Sequence, residues 1–228
     1  MVAFARVAAE MARLTWMRGL EDALEAAGLG PVAGVDEVGR GCLAGPVTVA
    51  AYVPRPGALV PGVDDSKKLS PEVRAALGPR LRDASLACAV VSVQAAEIDR
   101  CNILEATRQA MISALADVAA QLSRRFSITL GTVLTDAMPM PPALLHADRC
   151  VSTVKADSLA YSVACASILA KVDRDGLMTE LDRLHPHFGF ADHKGYGSEG
   201  HLAALRRFGP CREHRLSFSS VLPRRRAA

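Results

Sequence analysis

Aromatic side chains are scarce: the 228 residues hold one tryptophan, three tyrosines and six phenylalanines. A core built on stacked rings is excluded, so the interior must come from Ala, Val, Leu and Ile, which suits helices layered on a sheet. The six cysteines (Cys42, Cys88, Cys101, Cys150, Cys165, Cys211) form no Cys-x-x-Cys pair. That excludes a disulfide framework and reads as a reduced, cytoplasmic protein. No apolar run approaches the roughly 20 residues of a membrane span, so no membrane association is expected. Arg6, Arg13 and Arg18 are interrupted by Glu10 with no continuous apolar stretch behind them, which argues against a secretory signal. Internal repeats and low-complexity linkers are absent too, leaving one domain of ordinary size with short extensions.

What is present is unevenly spread. The formal net charge is only +3. From Leu184 onward, eight Lys or Arg face three acids, Asp192, Glu199 and Glu213, so that end carries +5 and the rest −2. Basic character gathered at one end suits a polyanionic partner, although Arg224 to Arg226 alone read as a solvated tail.

Periodicity orders the chain into strands early and helices late. Residues 1 to 27 read as a helix stopped at Gly28, followed by a strand from Val32 to Val38. A second apolar strand spans Pro46 to Val53, and Ser70-Pro71 opens a helix. A β-rich stretch covers Leu86 to Val93, an amphipathic helix Ile103 to Leu122, and a strand Ile128 to Leu134, ending at Thr135-Asp136. One long helix is expected from Ser158 to about Leu184 and a short one from Ser198 to Phe208. The domain plan is a helical extension over 1–29, a catalytic α/β domain over 30–185 and a basic, helical, substrate-binding extension over 186–228.

The tightest motif is VAGVDEVGRGCLAGPV, Val32 to Val47. Paired carboxylates such as Asp36 and Glu37 suit hard divalent cations, Mg²⁺ or Mn²⁺. The glycines around Arg40 let backbone come close to a ligand, and the arginine offers fixed donors to phosphate. Alternation along an ideal strand sends Asp36 and Glu37 to opposite faces, so reaching one site needs a local twist or a reach-around by Glu37. Asp136 closes a strand and Asp157 stands at the threshold of the long helix. Singly, Asp136 reads as an Asx-turn residue and Asp157 as an N-cap. Together, four carboxylates from three elements suffice for two cations roughly 4 Å apart, which would activate water and clamp a phosphodiester.

Over Leu20 to Val221 the chain resembles the ribonuclease HII family, the type 2 ribonucleases H. The segments GVDEVGRG, LAGPV, DSKKLS, DRCNILEAT, VLTD, KADS, SILAKVDRD, HKGYG and EHRLSF occur in the family's order. The resemblance implies an RNase H-like fold, a central mixed β-sheet flanked by helices with a helical C-terminal extension. It implies an endonuclease acting on RNA–DNA hybrids and on single ribonucleotides in duplex DNA, with Mg²⁺ or Mn²⁺, two ions per site, leaving 5′-phosphate and 3′-hydroxyl ends. The family's metal ligands fall on Asp36, Glu37, Asp136 and Asp157. Its junction-sensing residues fall on Gly39, Arg40, Gly41 and Tyr196.

Lys67, Lys68, Lys194 and Arg215 read as phosphate contacts, with a solvated charged turn as the alternative for Lys67 and Lys68. Lys155 and Lys171 bracket Asp157, where one would neutralise crowded acids. Departures from the family pattern are Cys42, Ala137, Ala156, Glu213 and Leu216. A monomer is expected. Leu222 to Ala228 has the size of a peptide docking tail, with nothing in it specific to a sliding clamp.

Three rival readings have observable signatures. A zinc-stabilised nucleic-acid-binding module would use His185, His187, His193, His201, Cys211 and His214, which lack finger spacing. A catalytically silent hybrid-binding protein would not need the full carboxylate set. The sister type, ribonuclease HIII, carries an extra N-terminal domain for which about 30 residues before the acidic pair are too few.

Overall fold

The strand Val32–Val38 (β1) is apolar for its first four residues, and Val32, Ala33 and Val35 are all buried. Gly34 is required there because a Cβ would collide with the backbone of Ser162 and Val163. In the computed structural model, which describes residues 2–136, 138, 140–153 and 156–222, β1 lies at the middle of a five-stranded sheet. The helix Val2–Ala26 (α1) precedes it and stops at Gly28, whose φ of +74° a β-carbon would strain.

The remaining elements, in chain order, are Val47–Pro54 (β2), a 3-10 turn at Ser66–Lys68, Pro71–Ala84 (α2), Ser85–Val93 (β3), Ala95–Cys101 (α3), Ile103–Phe126 (α4) and Leu130–Asp136 (β4). Then come Ala147–Thr153 (β5), Ala156–Leu159 (α5), Tyr161–Leu184 (α6), Phe190–His193 (α7) and Glu199–Phe208 (α8). The sheet order is β3-β2-β1-β4-β5. β1–β4 and β4–β5 pair in parallel. The β1–β2 link is shorter than the dozen or more residues a parallel crossover needs, so the sheet is mixed, as the RNase H-like reading requires. Among the described residues no helix is long and apolar enough to cross a membrane.

Two compact units make up the chain. The first comprises Met1–Asp36, Val49–Val91 and Met111–Val172, and one of its cores gathers Val32, Leu134, Ala156, Ala160 and Val163. The second comprises Glu37–Thr48, Ser92–Ala110 and Asp173–Ala228. One of its apolar clusters sets Leu43, Ala44 and Met178 with Phe188, Phe190 and Leu205. Half of the chain's ten aromatic residues, Phe188, Phe190, Tyr196, Phe208 and Phe218, belong to that unit.

Three elements differ from the sequence reading. The expected helix from Ser158 to Leu184 is interrupted at Ala160, between α5 and α6. The amide of Ser162, which an unbroken helix would turn toward the carbonyl four residues back, donates instead to Glu21 at 2.7 Å. The helix α3 was not expected; it ends at Asn102, whose φ is +73° and whose Oδ1 accepts from Leu104 and Glu105 to open α4. The strand β5 was not expected either, because its polar sequence ADRCVST lies half exposed at the sheet edge. Ala137, Lys155 and Arg224 to Arg226 lie outside the described residues.

Candidate active site

Parallel pairing aligns Val35 with Thr135, so one residue further on Asp36 and Asp136 stand level at the carboxyl ends of neighbouring strands. Residues level on adjacent parallel strands project to the same side of the sheet, and strand ends of this kind are where α/β folds place their chemistry. Asp157 lies within the first turn of α5 rather than at its N-cap, and is only 5% exposed. Its Oδ2 lies 3.2 Å from Lys67 Nζ. Asp157 foremost, then Asp65 and Asp36, hold the Lys67 ammonium above its ordinary range, so all three carboxylates act on one cationic point.

The donor set fits a hard divalent ion, being oxygen only, with an almost buried member whose charge a cation balances. Among the described residues no three of His, Cys, Asp or Glu stand grouped as a ready-made cage. Lys67 supplies the positive charge beside Asp157, a role the sequence reading did not give it. Lys68 pairs with Asp64 at 3.1 Å and remains largely exposed. Lys171 lies on α6.

The second unit builds the glycine loop. β1 continues as regular strand through Val38, and Glu37 Oε1 lies 3.3 Å from Arg40 Nη1. Gly39 has a φ of +88°, and a Cβ there would collide with the Arg174 guanidinium. Gly41 has open space around it and an ordinary φ. Two buried arginines clamp this loop by its carbonyls. Arg174 donates to Pro46 at 2.8 Å, Lys194 at 2.9 Å and Ala44 at 3.3 Å. Arg215 donates to Gly39 at 2.7 Å, Arg40 at 2.9 Å and Gly45 at 2.9 Å, and covers the Phe218 ring. Burial lowers its pKa to about 10, leaving it cationic at neutral pH.

Arg215 is therefore not placed as a phosphate contact: its side chain is fully buried and its donors are spent on the loop. The structure gives the same clamp role to Arg174, to which the sequence reading assigned none. Only its place in the run AKVDRD marked it. Asp99 was missed as well; its carboxylate accepts from the amides of Leu216 and Ser217 at 2.8 and 2.9 Å and so pins the EHRLSF segment.

Tyr196 follows Gly195, whose missing side chain lets it press against the Ala44 carbonyl. Leu43 donates to Gly195 at 2.8 Å, and Arg215 to Leu43 at 2.9 Å. Tyr196 itself is 47% exposed, with its backbone in this packed layer and much of its ring outside it. Lys194, half-buried, adopts a φ of +51° and gives its carbonyl to Arg174.

The zinc alternative finds no support in these rings. His214 Nδ1 receives the Cys211 amide at 3.0 Å and Nε2 faces His201 Nε2 at 3.0 Å, so both nitrogens are used in hydrogen bonds. His193 Nε2 likewise donates to the Phe188 carbonyl at 2.7 Å.

Comparison with known proteins gives this geometry its context. A family model described as ribonuclease HII matches residues 33–221. A ribonuclease HII of Geobacillus thermodenitrificans is 46% identical over 212 residues, 92% of this chain and 77% of that one. One from Mycobacterium avium is 46% identical over 207 residues, 90% and 85% of the two chains. Among solved structures, ribonuclease H2 of Pyrococcus horikoshii OT3 superposes with a TM-score of 0.67 at 26% identity, covering 83% of this chain and 94% of the other. A family match across most of the sequence, relatives of one name and a shared fold agree: the chain belongs to the ribonuclease HII family, and is a metal-dependent endoribonuclease of the ribonuclease H type.

Proposed function

We propose that this enzyme cuts the RNA strand of RNA–DNA hybrids and nicks duplex DNA on the 5′ side of a single embedded ribonucleotide, leaving 5′-phosphate and 3′-hydroxyl ends. The observation that carries the reading is the clamped Gly39-Arg40-Gly41 loop, a rigid stretch of backbone with open space at Gly41. RNA and DNA differ at the 2′-hydroxyl, and backbone amides and carbonyls of a glycine loop can approach that group where a side chain would block it. Tyr196, with its ring exposed, would pack against the neighbouring sugar.

Asp36, Glu37, Asp136 and Asp157 would hold the divalent ions, two per site, either Mg²⁺ or Mn²⁺. Bound there, the ions would supply an activated water and stabilise the leaving oxygen. The chain's own groups do the rest. Asp36 and Asp136 offer carboxylates at one level of the sheet. Lys67 balances the charge of the almost buried Asp157 before any ion or substrate arrives. Arg40 offers a fork of donors to a phosphate, and Lys68 and Lys194 add positive charge along the backbone of the duplex. The basic extension, residues 186–228, serves the same polyanion.

The test is cleavage of a labelled DNA duplex holding one ribonucleotide, with Mg²⁺, Mn²⁺ or EDTA. One nick 5′ of that ribonucleotide, lost in EDTA, is the expected result; cutting of continuous hybrids alone would remove the junction assignment and leave a ribonuclease H. Asp36→Asn is expected to lower cleavage by several orders of magnitude while hybrid binding and thermal stability persist. Near-normal turnover in that variant would refute the metal assignment.

A further inference from the structure

The reaction proposed above makes no use of the buried histidines beneath Tyr196, yet their hydrogen bonds run in a single direction. The Tyr196 carbonyl can only accept, and His201 Nδ1 lies 2.8 Å from it, so that nitrogen carries the proton. His201 Nε2 is then an acceptor, and His214 Nε2, 3.0 Å away, must donate to it. That leaves His214 Nδ1 to accept, and the Cys211 amide donates to it at 3.0 Å, with the Cys211 thiol 3.2 Å from the same atom. The Cys211 carbonyl, 3.3 Å from Nδ1, receives no proton from that ring and accepts from the His214 amide at 3.0 Å. The relay runs from the Cys211 N–H through two rings to the Tyr196 carbonyl, and a reversal at any link leaves two donors or two acceptors facing each other.

A second ring braces the residue on its other side. His193 Nδ1 accepts from the Gly195 amide at 3.2 Å, and the His193 carbonyl accepts from the Tyr196 amide at 2.9 Å. His193 stacks on His201 with centroids 4.3 Å apart. The backbone on both sides of Tyr196 is thus tied to imidazoles. His201 and His214 are both buried, and burial keeps each below the ordinary histidine range, so the relay stays uncharged at neutral pH. The other titratable groups facing it are His185, Cys211 and Glu213.

We propose that His201 and His214 are positioning residues for Tyr196, setting the height of its ring over the substrate and so the preference for a lone ribonucleotide. This rests on Tyr196 being the junction sensor. His214→Phe and His201→Phe keep the size of the ring and remove its nitrogens, whereas His214→Gln retains a donor at the Nε2 position. The rate on a duplex with one ribonucleotide, relative to a continuous hybrid, is expected to fall roughly tenfold or more in both Phe variants, the scale of a displaced positioning group, and to recover in H214Q. Tyr196→Ala is measured beside them. If Y196A loses the lone-ribonucleotide substrate selectively and the histidine variants lose both substrates equally, the relay is overturned and the sensor stands.

If Y196A is not selective, the sensor reading falls. The relay is then decided by ¹⁵N spectra of the unmodified protein and by the Tyr196 carbonyl ¹³C shift. Protonation at His201 Nδ1 and His214 Nε2, with a carbonyl shift that moves in H214F and returns in H214Q, supports it. The opposite tautomers, or an unmoved carbonyl, overturn it whatever the activities are.

Discussion

Gly39 and Gly41 flank the same arginine but answer to different constraints. Gly39 needs its positive φ and has the Arg174 guanidinium where a side chain would start, while Gly41 is free on both counts. Gly39→Ala is expected to cost about 1–3 kcal/mol from backbone strain, plus whatever displacing Arg174 adds. Gly41→Ala should leave the melting temperature within a degree or two and, if the loop reads the junction as proposed, still impair cleavage at a lone ribonucleotide, because the added methyl would then meet the sugar. Thermal melts paired with cleavage assays separate the two, and a Gly41→Ala enzyme with full activity would remove that loop from the substrate contact. The same residues mark how far the sequence could be read. The carboxylates and Gly-Arg-Gly can be singled out because their chemistry is local: acids in an apolar strand and glycines around a cation have few other uses. Arg174 and Arg215 are not, since nothing in an arginine's neighbours along the chain tells whether its donors meet a phosphate or a carbonyl more than a hundred residues away.

At the scale of elements, the junction of α5 and α6 depends on Glu21 of α1, a fully buried carboxyl that accepts the Ser162 amide. Burial raises its pKa above the unfolded value of 4.5. The folded chain then holds that proton more tightly than the unfolded one. The stability it contributes is complete below about pH 4.5 and is lost as pH rises through the folded value. Glu21→Gln keeps the acceptor and never ionises, so it should melt higher than the wild type at neutral pH by about 2 °C or more, with the gain vanishing near the unfolded value. Calorimetry across that range checks it; a constant difference at every pH would mean that Glu21 is not the titrating group. The helix break itself could not be read ahead, because Ser158 to Leu184 is helix-forming throughout and the competing acceptor comes from α1. For β5 the reason is different: an edge strand with polar residues lacks the alternation by which strands are recognised. β1, β2, α2 and α8 were legible because a short apolar run, a Ser-Pro start or a serine cap is written in adjacent residues.

For the whole molecule, the charge imbalance becomes a statement about salt. A lysine that meets a phosphate adds about 0.9 to the slope of log affinity against log salt. Lys68→Ala should therefore flatten the slope for hybrid binding by about that amount and weaken all sequences alike. Arg215→Ala should leave the slope unchanged while lowering stability, since its charge is enclosed by loop carbonyls. Binding isotherms of the two variants at several ionic strengths decide the point. A flattened slope for Arg215→Ala would return it to the phosphates, and an unchanged one for Lys68→Ala would leave that lysine a solvated partner of Asp64.

The clamp on the glycine loop also changes when the cost of order is met. With the carbonyls of Gly39, Arg40, Ala44, Gly45 and Pro46 held by two enclosed guanidinium groups, the loop surrenders its conformational entropy as the chain folds. A ligand arriving there would find a surface already set, without the ordering penalty that a floppy recognition segment would levy on each encounter. Under the proposed junction role, an encounter with a duplex that lacks the 2′-hydroxyl would then cost the loop no renewed ordering.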